Sequence, residues 1–234
     1  MLRVTNLIIQ LTNYTNKIII NCADSYYTQE RIMLKARDFR NRAWNKLQGN
    51  WATAVVSYLI MELIIGALAF TFIGSFLIIG PLTVGFSLVA VNIVRKNNPQ
   101  IENLFAAFND FVRTFVLWII NTVFIALWSL LFVIPGIIKA LSYSMSYYIV
   151  IDNTDMSANE ARKRSMQMME GHKWSLFCLY CSFIGWILLG ILTFGILLFW
   201  VLPYIEVARV EFYQNLIGAD REEVKAIEYH GNEN

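Results

Sequence analysis

Charge is what this sequence has least of. Asp, Glu, Lys and Arg fill 15% of the 234 positions and apolar residues fill 57%, whereas soluble domains run at about 25% charged and about 45–50% apolar. So few polar side chains do not cover a water-facing surface, and so much apolar surface excludes intrinsic disorder. The 4 prolines and 12 glycines exclude a collagen or linker protein. With 3 cysteines and 2 histidines there is neither a disulfide framework nor a His-rich metal site. A net charge of +2 gives no reason to expect nucleic acid as a partner. Nucleophile elbow, P-loop, dinucleotide glycine motif, HExxH and paired catalytic carboxylates are all missing, so no reaction and no cofactor is legible. An integral membrane protein fits what is left.

Long uncharged runs are what the chain has in their place. Residues 63–94, 114–138 and 174–205 contain no Asp, Glu, Lys, Arg or His. A helix crosses a hydrocarbon core about 30 Å thick with roughly 20 residues, so each run exceeds one crossing. Pro81, Pro135 and Pro203 lie in or beside these runs, in Ile-Gly-Pro-Leu, Ile-Pro-Gly-Ile and Leu-Pro-Tyr-Ile. Proline is tolerated in the first turn of a helix, so each reads as the start of a second helix. The expected fold is all-α and polytopic, with spans at 51–72, 74–94, 114–134, 135–151, 174–192 and 194–213 forming three proline-containing hairpins. The segments after Pro81 and Pro135 are short enough to be re-entrant.

Basic residues give the orientation. Arg31, Lys35, Arg37, Arg40, Arg42 and Lys46 precede the first span, and Arg95, Lys96 and Arg113 flank the second loop. Arg162, Lys163, Arg164 and Lys173 lie between the fourth and fifth spans, and the three intervening turns carry no basic residue. With six spans all basic segments fall on one side, which places both termini in the cytoplasm. An amphipathic segment precedes each hairpin. The first carries Phe39, Ala43 and Leu47 on one stripe, and the second carries Ile101, Leu104, Phe105, Phe108, Phe111 and Val112 at spacings of three and four. The third opens with the capping-box pattern Ser157-Ala-Asn-Glu160 and ends at Gly171. Such helices suit the membrane interface, apolar face down.

Residues 1–32 lack this order and read as an N-terminal extension or a mis-assigned start. Gln29-Glu30-Arg31 is encodable as a purine-rich ribosome-binding site ahead of Met33. The transmembrane domain is expected at 33–217, followed by a polar tail at 218–234.

Charges inside spans are costly and mark candidate sites. Glu62 sits well inside the first span. Lys139 and Glu206 fall at matching offsets after Pro135 and Pro203, so a Lys139–Glu206 pair is expected, with Arg209 one turn deeper. Such a set serves either as an ion pair fixing helix register or as part of a transport pathway. His172, Lys173 and Trp174 mark the cytoplasmic entry to the fifth span, as anchors or lipid-headgroup contacts. Cys178 and Cys181 have CxxC spacing without a second ligand pair, so packing is the expectation.

Several motifs together resemble one family. They are Gly49-Asn-Trp51, Gly80-Pro-Leu82, Leu127-Trp-Ser-Leu-Leu131, Ile134-Pro-Gly-Ile-Ile-Lys-Ala-Leu-Ser-Tyr-Ser-Met145, Gly171-His-Lys-Trp174, Ser182-Phe-Ile-Gly-Trp186 and Pro203-Tyr204. The family is domain of unknown function 975, a multi-pass membrane family of Firmicute bacteria. The resemblance covers about residues 34–216 and includes Lys139, His172 and Lys173. It implies a bacterial plasma-membrane protein and supplies no reaction. The expectation for function is a non-enzymatic component of a small transporter or channel, or a membrane scaffold. The alternative is a lipid-acting enzyme or lipid-binding protein at the cytoplasmic interface, the enzyme gathering His172, Lys173 and Asp152 or Asp155. Expected partners are the lipid bilayer and either another membrane protein or further copies of the chain.

Overall fold

The computed structural model describes residues 36–68 and 72–231. The chain divides into two compact units, one of residues 35–214 and one formed by 1–34 with 215–234. Among the described residues every regular element is helical. They are α1 (Ala36–Leu47), α2 (Trp51–Leu68), α3 (Phe72–Arg95), α4 (Asn103–Ala106), a 3-10 turn (Ala107–Asp110), α5 (Phe111–Leu131), α6 (Val133–Tyr143), α7 (Ser146–Asp152), α8 (Ala158–Met168), α9 (Lys173–Cys181), α10 (Ile184–Leu192) and α11 (Leu198–Gly231). The expected extension at 1–32, and with it the question of the start site, lies outside the described residues.

Among the described residues five stretches are long and apolar enough to cross a membrane: Trp51–Leu68, Phe76–Arg95, Asn103–Leu130, Val133–Asp152 and Lys173–Leu192. The segment expected at 194–213 is helical only from Leu198 and carries Glu206, Arg209 and Glu211, which sets it apart from those five. Its helix runs on to Gly231, beyond the expected start of the polar tail.

α3 is the central element. It packs against α1, α2, α4, α5 and α7. Leu82, Val84, Val89, Ala90, Val91 and Ile93 are all but fully enclosed, which is why this helix reads as nearly continuous Val, Leu and Ile. Pro81 does not start it. The residue sits inside the helix, as Pro203 does in α11, and Pro135 alone lies in a first turn. Neighbouring helices hold a proline-containing turn in place within a packed bundle. Gly80 lies against Trp118 and Phe115 of α5 there, and the Thr83 hydroxyl donates to the Ile79 carbonyl at 2.7 Å.

Two expected spans are broken, at Ser144–Met145 between α6 and α7 and at Ser182–Phe183 between α9 and α10. Serine explains both. The hydroxyls of Ser144, Ser146 and Ser182 donate to the carbonyls of Leu141, Tyr143 and Leu179 at 2.6–2.7 Å, each three residues back. Hydroxyls that bond nearby carbonyls offer the backbone an alternative to the helical ladder.

Of the amphipathic segments, α1 buries its stripe completely: Phe39, Ala43 and Leu47 are 0% exposed. What covers them is protein. Phe39 meets the Phe212 ring at 5.1 Å, Arg40 donates to the Ser182 carbonyl, and Lys46 donates to the Val94 carbonyl at 2.6 Å. α8 starts with the full capping box, Ser157 and Glu160 each satisfying the other's backbone N–H. The Ser157 hydroxyl, and then its N–H, hold the Glu160 carboxyl below the usual range.

Close approach at Gly85 decides where α4 sits, because a β-carbon there would lie 1.9 Å from the Leu104 carbonyl oxygen. Gly85→Ala should lower stability by about 1–3 kcal/mol through overpacking. Gly66→Ala, where a β-carbon meets nothing within 4 Å, should be neutral or stabilising by up to about 1 kcal/mol through helix propensity. Thermal unfolding of the two variants in detergent checks the contrast.

Candidate functional site

One face of α11 carries Glu206, Arg209 and Tyr213, three and seven residues apart and therefore stacked along the helix. Glu206 is 8% exposed. Its Oε1 accepts hydrogen bonds from the Ser87 hydroxyl of α3 at 2.8 Å and from the Tyr148 hydroxyl of α7 at 2.9 Å. Its Oε2 meets Arg209 Nη1 at 2.7 Å. Arg209 also donates to the Ser144 carbonyl at 3.1 Å and lays its guanidinium 5.6 Å from the Tyr148 ring centre. A carboxylate removed from water is tolerable when a cation and hydrogen-bond donors surround it, and Glu206 has both.

A second polar tier lies about 10 Å further along α11, seven residues at 1.5 Å each. Tyr213 donates to Asp152 Oδ2 at 3.0 Å, and Arg95 grips the same carboxylate with two bonds of 2.7 Å. Tyr148 joins the tiers, its ring 5.2 Å from that of Tyr213. The two carboxylates thus tie α3, α7 and α11 together. Charge spacing in the sequence brings Glu206 and Arg209 to the same place. Ser87, Tyr148 and Tyr213 were missed because neutral hydroxyls leave no trace on a map of charges, and Arg95 and Asp152 read as loop charges.

The other candidates lie apart from this cluster. Lys139 is not beside Glu206. Its ammonium stands over the Trp128 ring, 5.0 Å from the centre, within the α5–α6 pair. Glu62 lies exposed on α2, with the Tyr58 hydroxyl turned toward it from the preceding turn. His172 is buried just before α9, whereas Trp174 is 72% exposed and stacks on Phe177 at 5.3 Å. Asp152, one of the two carboxylates (with Asp155) that the enzymatic alternative would gather with His172, is committed to Arg95 and Tyr213. Cys178 and Cys181 are free thiols on α9. Among the described residues no three His, Cys, Asp or Glu side chains converge as a metal site.

Aromatic residues build a second feature. Trp44, Trp51, Trp186, Trp200 and Tyr204 line an apolar cavity of about 340 Å³. Trp44, Trp51 and Tyr204 meet edge to face at 5.2–6.1 Å. Tyr204 donates its hydroxyl to the Arg40 carbonyl at 2.9 Å, which fixes the wall to α1. The cavity has the size and lining of a site for an apolar ligand.

Removing one member of the buried pair leaves the other charge uncompensated. Glu206→Leu and Arg209→Leu should each cost about 3–5 kcal/mol, and the double variant less than the sum. Thermal unfolding in detergent provides the double-mutant cycle.

The family model described as protein of unknown function (DUF975) matches residues 33–142 and 130–220. No curated protein and no solved structure matches the chain. The two matched pieces overlap at residues 130–142, the segment that holds Pro135 and Lys139, and together they include every helix of the bundle apart from the end of α11. By this match, which covers well over half of its length, the chain belongs to the DUF975 family.

Proposed function

We propose that the chain is a non-enzymatic membrane scaffold whose polar core fastens helices and conducts nothing. It is a six-span bundle of three hairpins in a bacterial plasma membrane, with both termini cytoplasmic. The bundle comprises residues 33–217, with 1–32 as an extension and 218–234 as a polar tail. The basic segments around Arg37–Lys46, Arg95–Arg113 and Arg162–Lys173 support this orientation, since positive residues stay on the cytoplasmic side.

The closure of the Glu206 site carries the reading. Transport pathways place intramembrane charges against a wet cavity between elements that move. Both Glu206 oxygens are instead engaged by Ser87, Tyr148 and Arg209, side chains of the same bundle. Full-length protein in liposomes loaded with a pH-sensitive dye should pass protons and potassium no faster than empty vesicles. Flux above that level, abolished by Glu206→Gln, overturns the proposal.

A second reading, lipid binding at the cytoplasmic interface, is favoured by the tryptophan-lined cavity. Trp44 belongs to the basic helix α1 and Trp51 begins α2, while Trp200 and Trp186 come from α11 and α10. An anionic lipid fits this arrangement, its chain against the indoles and its phosphate toward Arg37 or Arg42. Anionic lipid with brominated chains should quench tryptophan fluorescence saturably, and Trp200→Ala should remove most of that quenching. Equal quenching by zwitterionic lipid would reduce the cavity to ordinary lipid contact.

A further inference from the structure

Arg162 is enclosed on the inner stripe of α8 with Ala158, Ala161 and Ser165, a position where an amphipathic helix normally carries an apolar side chain. α8 packs on α5, α6 and α7, and the guanidinium reaches between the first two. It lies 4.4 Å from the centre of the Phe124 ring of α5 and 5.3 Å from that of the Tyr143 ring of α6. Nη2 donates to Asn159 Oδ1 at 2.8 Å and Nη1 to the Tyr143 hydroxyl at 3.4 Å, while Nε is buried without an acceptor. A guanidinium carries five N–H donors, so these two bonds leave three of them open.

Lys139 stands over the next ring of the same seam. Phe124 and Trp128 are four residues apart on unbroken α5, and Lys139 and Tyr143 are four apart on unbroken α6, so each couple is stacked on one helix face. The Lys139 ammonium lies 5.0 Å from the Trp128 ring centre, one turn along from the rings that hold Arg162. All four of these positions fall in stretches apolar enough to cross a membrane.

Two cations thus stand close together without an acid. Among the described residues no carboxylate lies within ion-pair distance of either. Elsewhere in the chain Arg95, Arg113 and Arg209 are matched by Asp152, Asp110 and Glu206. Ring faces attract a cation but leave its charge in place. Charges withheld from water require a counter-charge, and two of like sign repel each other. An anion seated between them answers both demands. Phosphate suits the pair, since its oxygens match the guanidinium fork and accept from an ammonium as well. The surroundings select its carrier. Leu127 and Ile138, the chain neighbours of Trp128 and Lys139, are apolar and about half exposed, which suits contact with lipid tails.

We propose that Arg162 and Lys139 bind the phosphate group of a lipid in the seam between α5 and α6, its chains lying against Leu127 and Ile138. Arg162 supplies the fork, Lys139 supplies the second charge, and Phe124, Trp128 and Tyr143 hold both cations in place. The site shares no residue with the tryptophan-lined cavity. It stands whether or not that cavity takes a lipid.

Full-length protein freed of copurified lipid and titrated with phosphatidylglycerol tests it, with native mass spectrometry counting the bound lipids. Wild type should hold a phosphatidylglycerol whose affinity falls by roughly tenfold or more in R162Q and in K139M. R162K, which keeps the charge and loses the fork, should fall between wild type and R162Q. Diacylglycerol with the same chains should bind more weakly by a similar factor, and inorganic phosphate should displace none of the lipid. K139M, at the less enclosed position, carries the test if R162Q fails to fold. Wild-type affinity in both variants, or equal binding of diacylglycerol, overturns the site. Displacement by inorganic phosphate overturns the lipid as carrier. Quenching that depends on Trp200 reads the tryptophan-lined cavity separately, so failure of one site is distinguishable from failure of the other.

Discussion

A carboxylate withdrawn from water has to find its counter-charge and its hydrogen bonds within the protein. Glu206 finds them on three helices at once, through Ser87 of α3, Tyr148 of α7 and Arg209 of its own α11. All of these bonds form only at one relative height of the helices. A shift of α11 by one turn, about 5.4 Å, would strand the carboxylate and the guanidinium together. Replacing such a pair by well-packed apolar residues is often neutral or stabilising. Its contribution is therefore choice of register more than net stability. The second tier, Arg95–Asp152–Tyr213, repeats the constraint on the same helices and removes any freedom to pivot about the first.

Register fixed in this way lets the remaining contacts be weak and apolar. Lipid is as apolar as leucine, so helices in a bilayer gain little from hiding apolar side chains and depend on close packing and polar links. The distribution of burial follows that rule. α3 from Gly80 to Val94, α7 and the middle of α11 are enclosed, and these are the segments that carry the polar links. Leu63, Leu130, Phe132, Ile134, Leu192 and Phe194, near the ends of the helix pairs away from those links, are exposed by 72–98%. Bare apolar side chains there are what contact with lipid tails requires.

Scarcity of charge was enough to read the membrane class and most helix positions, because bilayer thickness translates almost directly into runs of uncharged residues. The Phe39–Ala43–Leu47 stripe and the Ser157–Glu160 cap were legible for the same kind of reason: each is a local spacing rule with one structural solution. Depth was not legible. Lys139 and Glu206 stand at nearly equal offsets from their prolines, but Pro135 lies in the first turn of α6 whereas Pro203 lies further inside α11. Equal distance from proline was not equal depth. The breaks at Ser144–Met145 and Ser182–Phe183 were hidden because serine in a span reads as a small packing residue until its hydroxyl is seen on a carbonyl three residues back.

α11 also shows how the fastening reaches the aromatic cavity. At 3.6 residues per turn, Glu206, Arg209 and Tyr213 occupy one face, and Trp200 and Tyr204 fall roughly on the opposite one. The first face is locked by the two carboxylate tiers, so the helix has little freedom to rotate. The indole of Trp200 and the ring of Tyr204 are therefore held as a cavity wall by bonds made on the far side of the same helix. Tyr204 is fixed a second time, by its bond to the Arg40 carbonyl, and Arg40 in turn donates to the Ser182 carbonyl at the break between α9 and α10. Trp186 follows that break by four residues and completes the wall. A cavity whose walls are set by bonds formed elsewhere keeps its shape whether or not anything fills it. Preorganisation of that kind cuts the ordering cost that a ligand would otherwise meet.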